Sequence, residues 1–272
     1  MGNVSVDLKG EVAAVTGGGG ILCSVMCKAL AESGAAVAVM DIAEDAAETV
    51  AEEINSAGGK AVAVQSNVLD KEDLQRAYKE VADAVGVPTI LVNGAGGNKK
   101  EATTSDDMSF FDMPADALQW VFNLNFLGTL LTTQVFAKPM ADAKKGNIIN
   151  ISSMAAFRPL TKVLGYSAAK AAISNYTNWL AVHMSQNYST DIRVNAIAPG
   201  FFLTEQNRYL LTNEDGSPTP RGKQIIDHTP MGKYGNPEDL LSTLRWLLSA
   251  DSHFVHGIVV PVDGGFSAYS GV

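Results

Sequence analysis

The chain has 272 residues, 46% of them hydrophobic and 18% charged, and a net charge of −9. That length suits one α/β domain or two small ones with ample material for a core, and the acidic balance argues against nucleic acid, whose phosphates want basic patches. No apolar run is long enough to span a bilayer, and the first six residues lack both a charged-then-apolar leader and the myristoylation pattern; the expectation is a cytoplasmic protein with no membrane partner.

In chain order, Glu11–Thr16 reads as the first strand and Leu22–Ser33 as a helix stopped by Gly34. Ala35–Met40 is a second strand ending at Asp41, followed by a helix over Ala43–Ala57. Ala61–Gln65 and the helix Lys71–Val85 come next, then the strand Thr89–Asn93. One long helix is predicted from Pro114 to about Met140. Asn147–Ser152 is a fifth strand, a helix carries Tyr166 and runs to about Asn187, and Ile192–Ile197 is a sixth strand. Asn236-Pro-Glu-Asp239 has a cap, a proline and acids in the order that starts a helix, and Ile258–Val262 is a seventh strand. Repeated β-α-β units with nearly all-apolar strands predict a single domain over 1–272: a doubly wound, Rossmann-type parallel sheet of seven strands with helices on both faces. Ligands of such sheets bind beyond the carboxyl ends of the strands. The stretch 200–235 breaks the rhythm, with turn formers and no clear strand; it reads as a substrate lid or as a surface insertion carrying short helices. Cys23 and Cys27 have helical spacing and read as two small buried hydrophobes, and the histidines at 183, 228, 253 and 256 form no ligand pattern, so no metal is expected.

Tyr166 and Lys170 are four apart on a predicted helix, which places both on one face, and Ser153 lies thirteen residues upstream. A free tyrosine, with a pKa of about 10, is a poor acid or base at neutral pH. A cation about 4 Å away at an effective dielectric of ~20 contributes roughly 4 kcal/mol, or about 3 pKa units, and would bring the phenol near working pH. Thr16-Gly-Gly-Gly-Gly20 lies between a strand and a helix, where glycine backbone and a helix N-terminus can receive a pyrophosphate or simply make a tight turn. Asp41, 21 residues past Gly20, either accepts from a ribose 2′-OH and repels a 2′-phosphate, favouring NAD over NADP, or caps a helix. Asn93-Gly-Ala-Gly96 would let the chain pass close to the adenosine half of a cofactor. Asn125, a poor helix former in a predicted helix, either satisfies a local carbonyl or helps build a proton path.

Together with Pro199-Gly200, Thr204 and Val262-Asp-Gly-Gly265, these motifs make the chain resemble the short-chain dehydrogenase/reductases over essentially its whole length. The resemblance implies a catalytic tetrad. Tyr166 would be the general acid/base, Ser153 would polarise the substrate oxygen, Lys170 would hold the nicotinamide ribose and lower the tyrosine's pKa, and Asn125 would fix a relay water. It implies NAD(H) contacts at Gly17, Gly19, Gly20 and Ile21 in the glycine segment, and at Asp41, Asn67 and Val68 around the adenosine. Further contacts would come from Asn93, Ala95, Gly96, Pro199, Gly200, Phe202 and Thr204, beside Tyr166 and Lys170. Two departures stand out: Ile21 and Cys23 occupy positions where the family has glycines, and Asn67 replaces an acid.

A finer resemblance, carried by TGGGGILC at 16–23, LVNGAGGN at 91–98, APGFFLTEQNR at 198–208 and VDGGFSAYSGV at 262–272, points to the D-mannonate oxidoreductase (fructuronate reductase) branch. It implies NADH-linked interconversion of D-fructuronate and D-mannonate, while the broader family resemblance implies a homotetramer. The alternatives are a gluconate 5-dehydrogenase-like or other polyol activity, a 3-ketoacyl reductase, and a nucleotide-sensing protein. A uronate's carboxylate needs a cation. Arg208, Lys162 and Lys99 are the candidates, with Arg158 and Arg221 in reserve, and Asn98, Met154 and Gln206 are pocket candidates by position.

Overall fold

A computed structural model describes residues 5–203, 208 and 211–271. Seven parallel strands form one sheet: β1 (Val12–Thr16), β2 (Ala36–Asp41), β3 (Lys60–Gln65), β4 (Ile90–Asn93), β5 (Gly146–Ile151), β6 (Ile192–Pro199) and β7 (Val259–Val262). Their order across the sheet is β3-β2-β1-β4-β5-β6-β7. Among the described residues the α-helices include α1 (Ile21–Glu32), α2 (Glu44–Ser56), α3 (Lys71–Ala84), α4 (Ala115–Phe122), α5 (Gly128–Ala143), α6 (Leu164–Asn187), α7 (Pro220–His228) and α8 (Leu241–Leu248). None of the described helices is long and apolar enough to cross a membrane.

Every residue of β1 and of β6 is buried, as expected of strands covered on both faces. Alternation then sorts side chains into two cores. Ala13, Val15, Ile149 and Ile151 face α1, α2 and α8, whereas Ala14, Leu91, Ile148 and Val194 face α3, α5 and α6. Pro261 is tolerated in β7 because that strand is at the edge. The chain reverses direction of winding between β3 and β4, so β1 has β2 on one side and β4 on the other. The crevice between the carboxyl ends of β1 and β4 is the switch point where ligands of such sheets lie.

Strand and helix positions follow the sequence reading with shifts at their ends, and two features differ from it. The helix expected over 114–140 is two helices, α4 and α5, joined by a π-helical turn at Asn123–Leu127 centred on Asn125. The helix signalled by Asn236 begins with a 3-10 turn, Pro237–Leu240, held by a reciprocal Asn236–Asp239 capping box, before α8 proper. Within 200–235 the chain forms α7, its first turn capped by the Thr219 side chain, and Phe202 makes a bridge with Gly235.

A buried polar chain ties the two central strands to the helices on one face. Asn93 Nδ2 donates to Thr133 Oγ1 (3.0 Å) and to Asn150 Oδ1 (2.9 Å), and Asn150 Nδ2 donates to Thr177 Oγ1 (2.9 Å). This joins β4 and β5 to α5 and α6 with directional bonds inside an otherwise largely apolar core. Asn150→Ala removes the acceptor for Asn93 and the donor to Thr177, and it is expected to lower the unfolding free energy by about 2–4 kcal/mol in urea denaturation. A loss under about 0.5 kcal/mol would mean the network adds little to stability.

Candidate active site

The carboxyl end of β1 and that of β4 are pinned together by one hydroxyl: Thr16 Oγ1 accepts the N–H groups of Gly94 and Ala95, both at 3.2 Å. Gly17 then turns in the left-handed region (φ 66°), and a Cβ there would come within 3.0 Å of the Ala95 backbone. The chain continues through Gly20 into α1 with no side chain capping the helix. The first-turn amides of α1 are therefore left for whatever enters the cavity in front of them.

That cavity, of about 660 Å³, runs along the strand ends. Gly17, Gly20, Ile21 and Cys23 form one wall; Asp41, Asn67 and Val68 flank the β2–β3 end; Ala95 and Gly96 form the floor; Tyr166, Lys170, Pro199 and Gly200 close the far end. Asp41 anchors the glycine turn, its Oδ2 accepting from Gly19 N–H at 3.0 Å and its Oδ1 from Ala43 N–H at 3.1 Å. The Asn67 side chain accepts from Leu69 N–H at 3.0 Å. Beside it, Ser66, which lines the same cavity, contributes a buried hydroxyl oxygen with no hydrogen-bond partner. Lys170 is the one cation among the described lining residues.

These features fit a dinucleotide. The uncapped α1 amides suit the diphosphate, Ser66 lacks the partner an adenine could supply, and a carboxylate with no facing cation at the end of β2 suits ribose hydroxyls and disfavours a 2′-phosphate.

At the far end the Tyr166 phenol lies beside the Ser153 hydroxyl, close enough to feel it, and Ser153 is fixed because its Oγ accepts Ala155 N–H at 3.1 Å. Lys170 Nζ lies 5.6 Å from the Tyr166 ring centre and donates to the Ile151 carbonyl at 2.8 Å. Burial lowers the Lys170 amine to about 8, against a smaller upward pull from Cys23. Burial likewise pushes the Tyr166 phenol above its ordinary range, and the Ser153 hydroxyl pulls it down by less. Lys170, expected to lower the tyrosine's pKa, here turns its amine to a backbone carbonyl, and burial is the largest influence on the phenol.

Asn125 is fully buried below Gly96. Its Nδ2 donates to the Gly97 carbonyl (2.7 Å) and to the Val121 carbonyl (2.8 Å), while its Oδ1 accepts Gly97 N–H (3.2 Å). Of the two readings of this residue, the structure displays the one in which it satisfies local carbonyls, and in doing so it holds the cavity floor against the π-turn.

Seven of the described candidates are not gathered here. Asn93 turns its amide into the buried Thr133–Asn150 network. Phe202 is buried against Gly235 and the α1–α8 core. Asn98 donates to Thr103 Oγ1 at 2.8 Å, and Met154 is fully buried in a 3-10 turn beside Ser153. Lys99 lies 5.1 Å over the Trp120 ring, which itself lines the cavity. Lys162 faces a second cavity together with Arg158 and Arg221, and Arg208 is exposed. Thr204 and Gln206 lie outside the described residues. Ser66 and Trp120 escaped the sequence reading; the place of Ser66 after a strand and before Asn67 was its only signal.

Residues 11–215 match the short chain dehydrogenase family. An uncharacterized oxidoreductase of Haemophilus influenzae is 49% identical over 98% of this chain and 96% of its own length. UxuB of Bacillus subtilis, also an uncharacterized oxidoreductase, is 49% identical over 98% of each chain. Among solved structures, a Haemophilus protein named provisionally as a D-mannonate oxidoreductase, with NAD bound, aligns at a TM-score of 0.93 and 48% identity over 98% of both chains.

A buried amine held near 8 costs stability fully below that pH, and the cost disappears as pH rises from about 8 toward the ordinary lysine value of 10.5. Relative to Lys170→Met, the wild type is therefore expected to gain thermal stability across that interval. A difference in melting temperature that stays constant from pH 6 to pH 10 would show that Lys170 is not titrating in this window.

Proposed function

Because the chain belongs to the short chain dehydrogenase family, we propose that it is an NAD(H)-dependent oxidoreductase that interconverts a keto sugar acid and its alcohol, D-fructuronate and D-mannonate in the first instance. The observation that carries the redox reading is the Ser153–Tyr166–Lys170 cluster closing one end of a cavity whose other end is bounded by the Asp41 carboxylate. The sugar acid is suggested by the name of the relative that aligns over 98% of both chains.

When bound, the nicotinamide supplies or accepts the hydride. Ser153 donates a hydrogen bond to the substrate carbonyl oxygen and holds it against Tyr166. In reduction Tyr166 gives its proton to that oxygen, and its raised pKa keeps it protonated and ready at neutral pH. Lys170, poised at about 8, exchanges its hydrogen bond to Ile151 for ribose hydroxyls and returns a proton toward Tyr166. Asn125 keeps Gly97, and with it the floor under the nicotinamide, in place. Glycines and Ile21 at the start of α1 receive the diphosphate through their amides, with Asp41 on the adenosine ribose. The 200–235 segment covers the substrate, and α5 and α6, which expose Trp179 at 57%, form a subunit interface of a homotetramer.

The test is NADH oxidation with D-fructuronate beside 5-ketogluconate, D-tagaturonate and an acetoacetyl thioester, with NADPH as the control. Turnover concentrated on D-fructuronate with NADH supports both the substrate and the role of Asp41. Preference for another ketone replaces the substrate and leaves the redox reading standing, and equal use of NADPH removes the Asp41 argument. The raised phenol sets the direction of the pH profile: alcohol oxidation, which needs Tyr166 deprotonated, is expected to climb through pH 7–10, while ketone reduction holds over the same range until the phenol ionises. Oxidation that is fastest at pH 6 would remove Tyr166 as the base.

A further inference from the structure

A second cavity, of about 950 Å³, lies between the loop that leads from Ser153 to Tyr166 and the helix α7. It shares no lining residue with the first, but the two abut along the chain: Gly200 lines one and Phe201 lines the other. Its walls carry Arg158, Lys162 and Arg221, with His228, and no carboxylate. That is unusual in a chain with 29 acidic and 20 basic side chains. None of the three cations has a carboxylate partner among the described residues; Arg158 donates through Nε to the Ser267 carbonyl at 3.1 Å, which anchors the guanidinium and leaves its other donors. Arg221 sits in the first turn of α7, whose start is fixed by the Thr219 side chain accepting Gly222 N–H at 3.1 Å. Asp263 accepts from Gly265 and Ser267 N–H, both at 2.9 Å, and so folds the turn that sets Phe266 edge-on against Phe201 as an apolar floor.

Unpaired cations that converge on a concave site with an aromatic floor recognise an anion of modest size. From this juxtaposition, and resting on the sugar-acid reading above, we infer that Arg158, Lys162 and Arg221 form the receptor for the substrate's carboxylate, with Gln224, Thr161 and Tyr269 placed on the same walls for its hydroxyls. The loop geometry explains how it acts on the reaction. The same segment that bears Arg158 and Lys162 leads into Tyr166, and Phe201 of this cavity follows Gly200 of the first, so an acid held by these cations lies next to the end of the first cavity that Tyr166 closes. The receptor sets which ketone is chosen and takes no part in the hydride or proton transfer.

The experiment titrates D-mannonate and the uncharged mannitol calorimetrically into the NADH-loaded protein, in which the alcohol cannot turn over. Alongside it, KM and kcat are measured for D-fructuronate and for D-fructose. Lys162→Gln, Arg221→Gln and the double variant are compared with wild type, and NADH affinity serves as the control for folding. The expected result is a loss of D-mannonate affinity of roughly tenfold or more for each single change, as for a charge-assisted hydrogen bond, with a matching rise in KM for D-fructuronate, kcat nearly unchanged, and mannitol and D-fructose unaffected. Wild-type affinity for D-mannonate in the double variant, an equal loss for mannitol, or no binding of D-mannonate to the wild type would each overturn the receptor. The two readings fail separately. If no keto sugar acid is reduced but D-mannonate binds through these cations, the receptor stands and the named reaction falls; if D-fructuronate is reduced with the same KM in the double variant, the receptor falls and the reaction stands.

Discussion

The site depends on how closely two strand ends can approach. Thr16 bonds both Gly94 and Ala95 through a single oxygen, and Gly17 passes over Ala95 at a separation that leaves no room for a side chain. This junction decides where α1 begins, and hence where its free amides point. It also sets the floor of the cavity at Ala95 and Gly96, beneath which Asn125 is wedged. A side chain at Gly96 would meet Asn125 Oδ1 at 2.5 Å and Lys170 Nζ at 3.4 Å, so the spacing of the proton-handling groups is transmitted from the glycine turn through backbone alone.

The polar groups near the reaction centre are therefore held by backbone atoms more than by one another. Lys170 answers to the Ile151 carbonyl, Ser153 to the Ala155 amide, and Asn125 to Gly97 and Val121. Such anchors are rigid because their partners belong to strands and helix turns buried on both sides. The cost is desolvation, visible in an amine held near 8 and a phenol pushed upward. A bound ribose and carbonyl oxygen offer these groups the partners that water would otherwise provide.

Much of this was legible in the residues. Strands rich in Val, Ile and Ala between helical periods gave the parallel sheet, because burial on both faces requires apolar runs. Spacing gave the Tyr166–Lys170 pair, because a helix puts residues four apart on one face. What the sequence hid depends on direction and on distance along the chain. The position of Asn93 after a strand says nothing about which way its amide turns, and it turns toward Thr133. A π-turn at Asn125 leaves no periodic trace over five residues. The Lys170 amine could be expected near the phenol, but its choice of the Ile151 carbonyl is a matter of three-dimensional packing. Arg158 and Arg221 are far apart in sequence, and only the placement of α7 brings them to one cavity.

Cys23, where the family has glycine, is buried with its sulfur over the place where a side chain at Gly94 would stand. The Thr16 carbonyl stands 2.7 Å from that same point, so the space beside Gly94 is closed by backbone as well as by sulfur. A glycine at 23 would empty the volume the thiol fills without passing it to residue 94. The departure from the family's glycine pattern is therefore one-sided: α1 gained a core side chain, and the end of β4 gave up nothing for it.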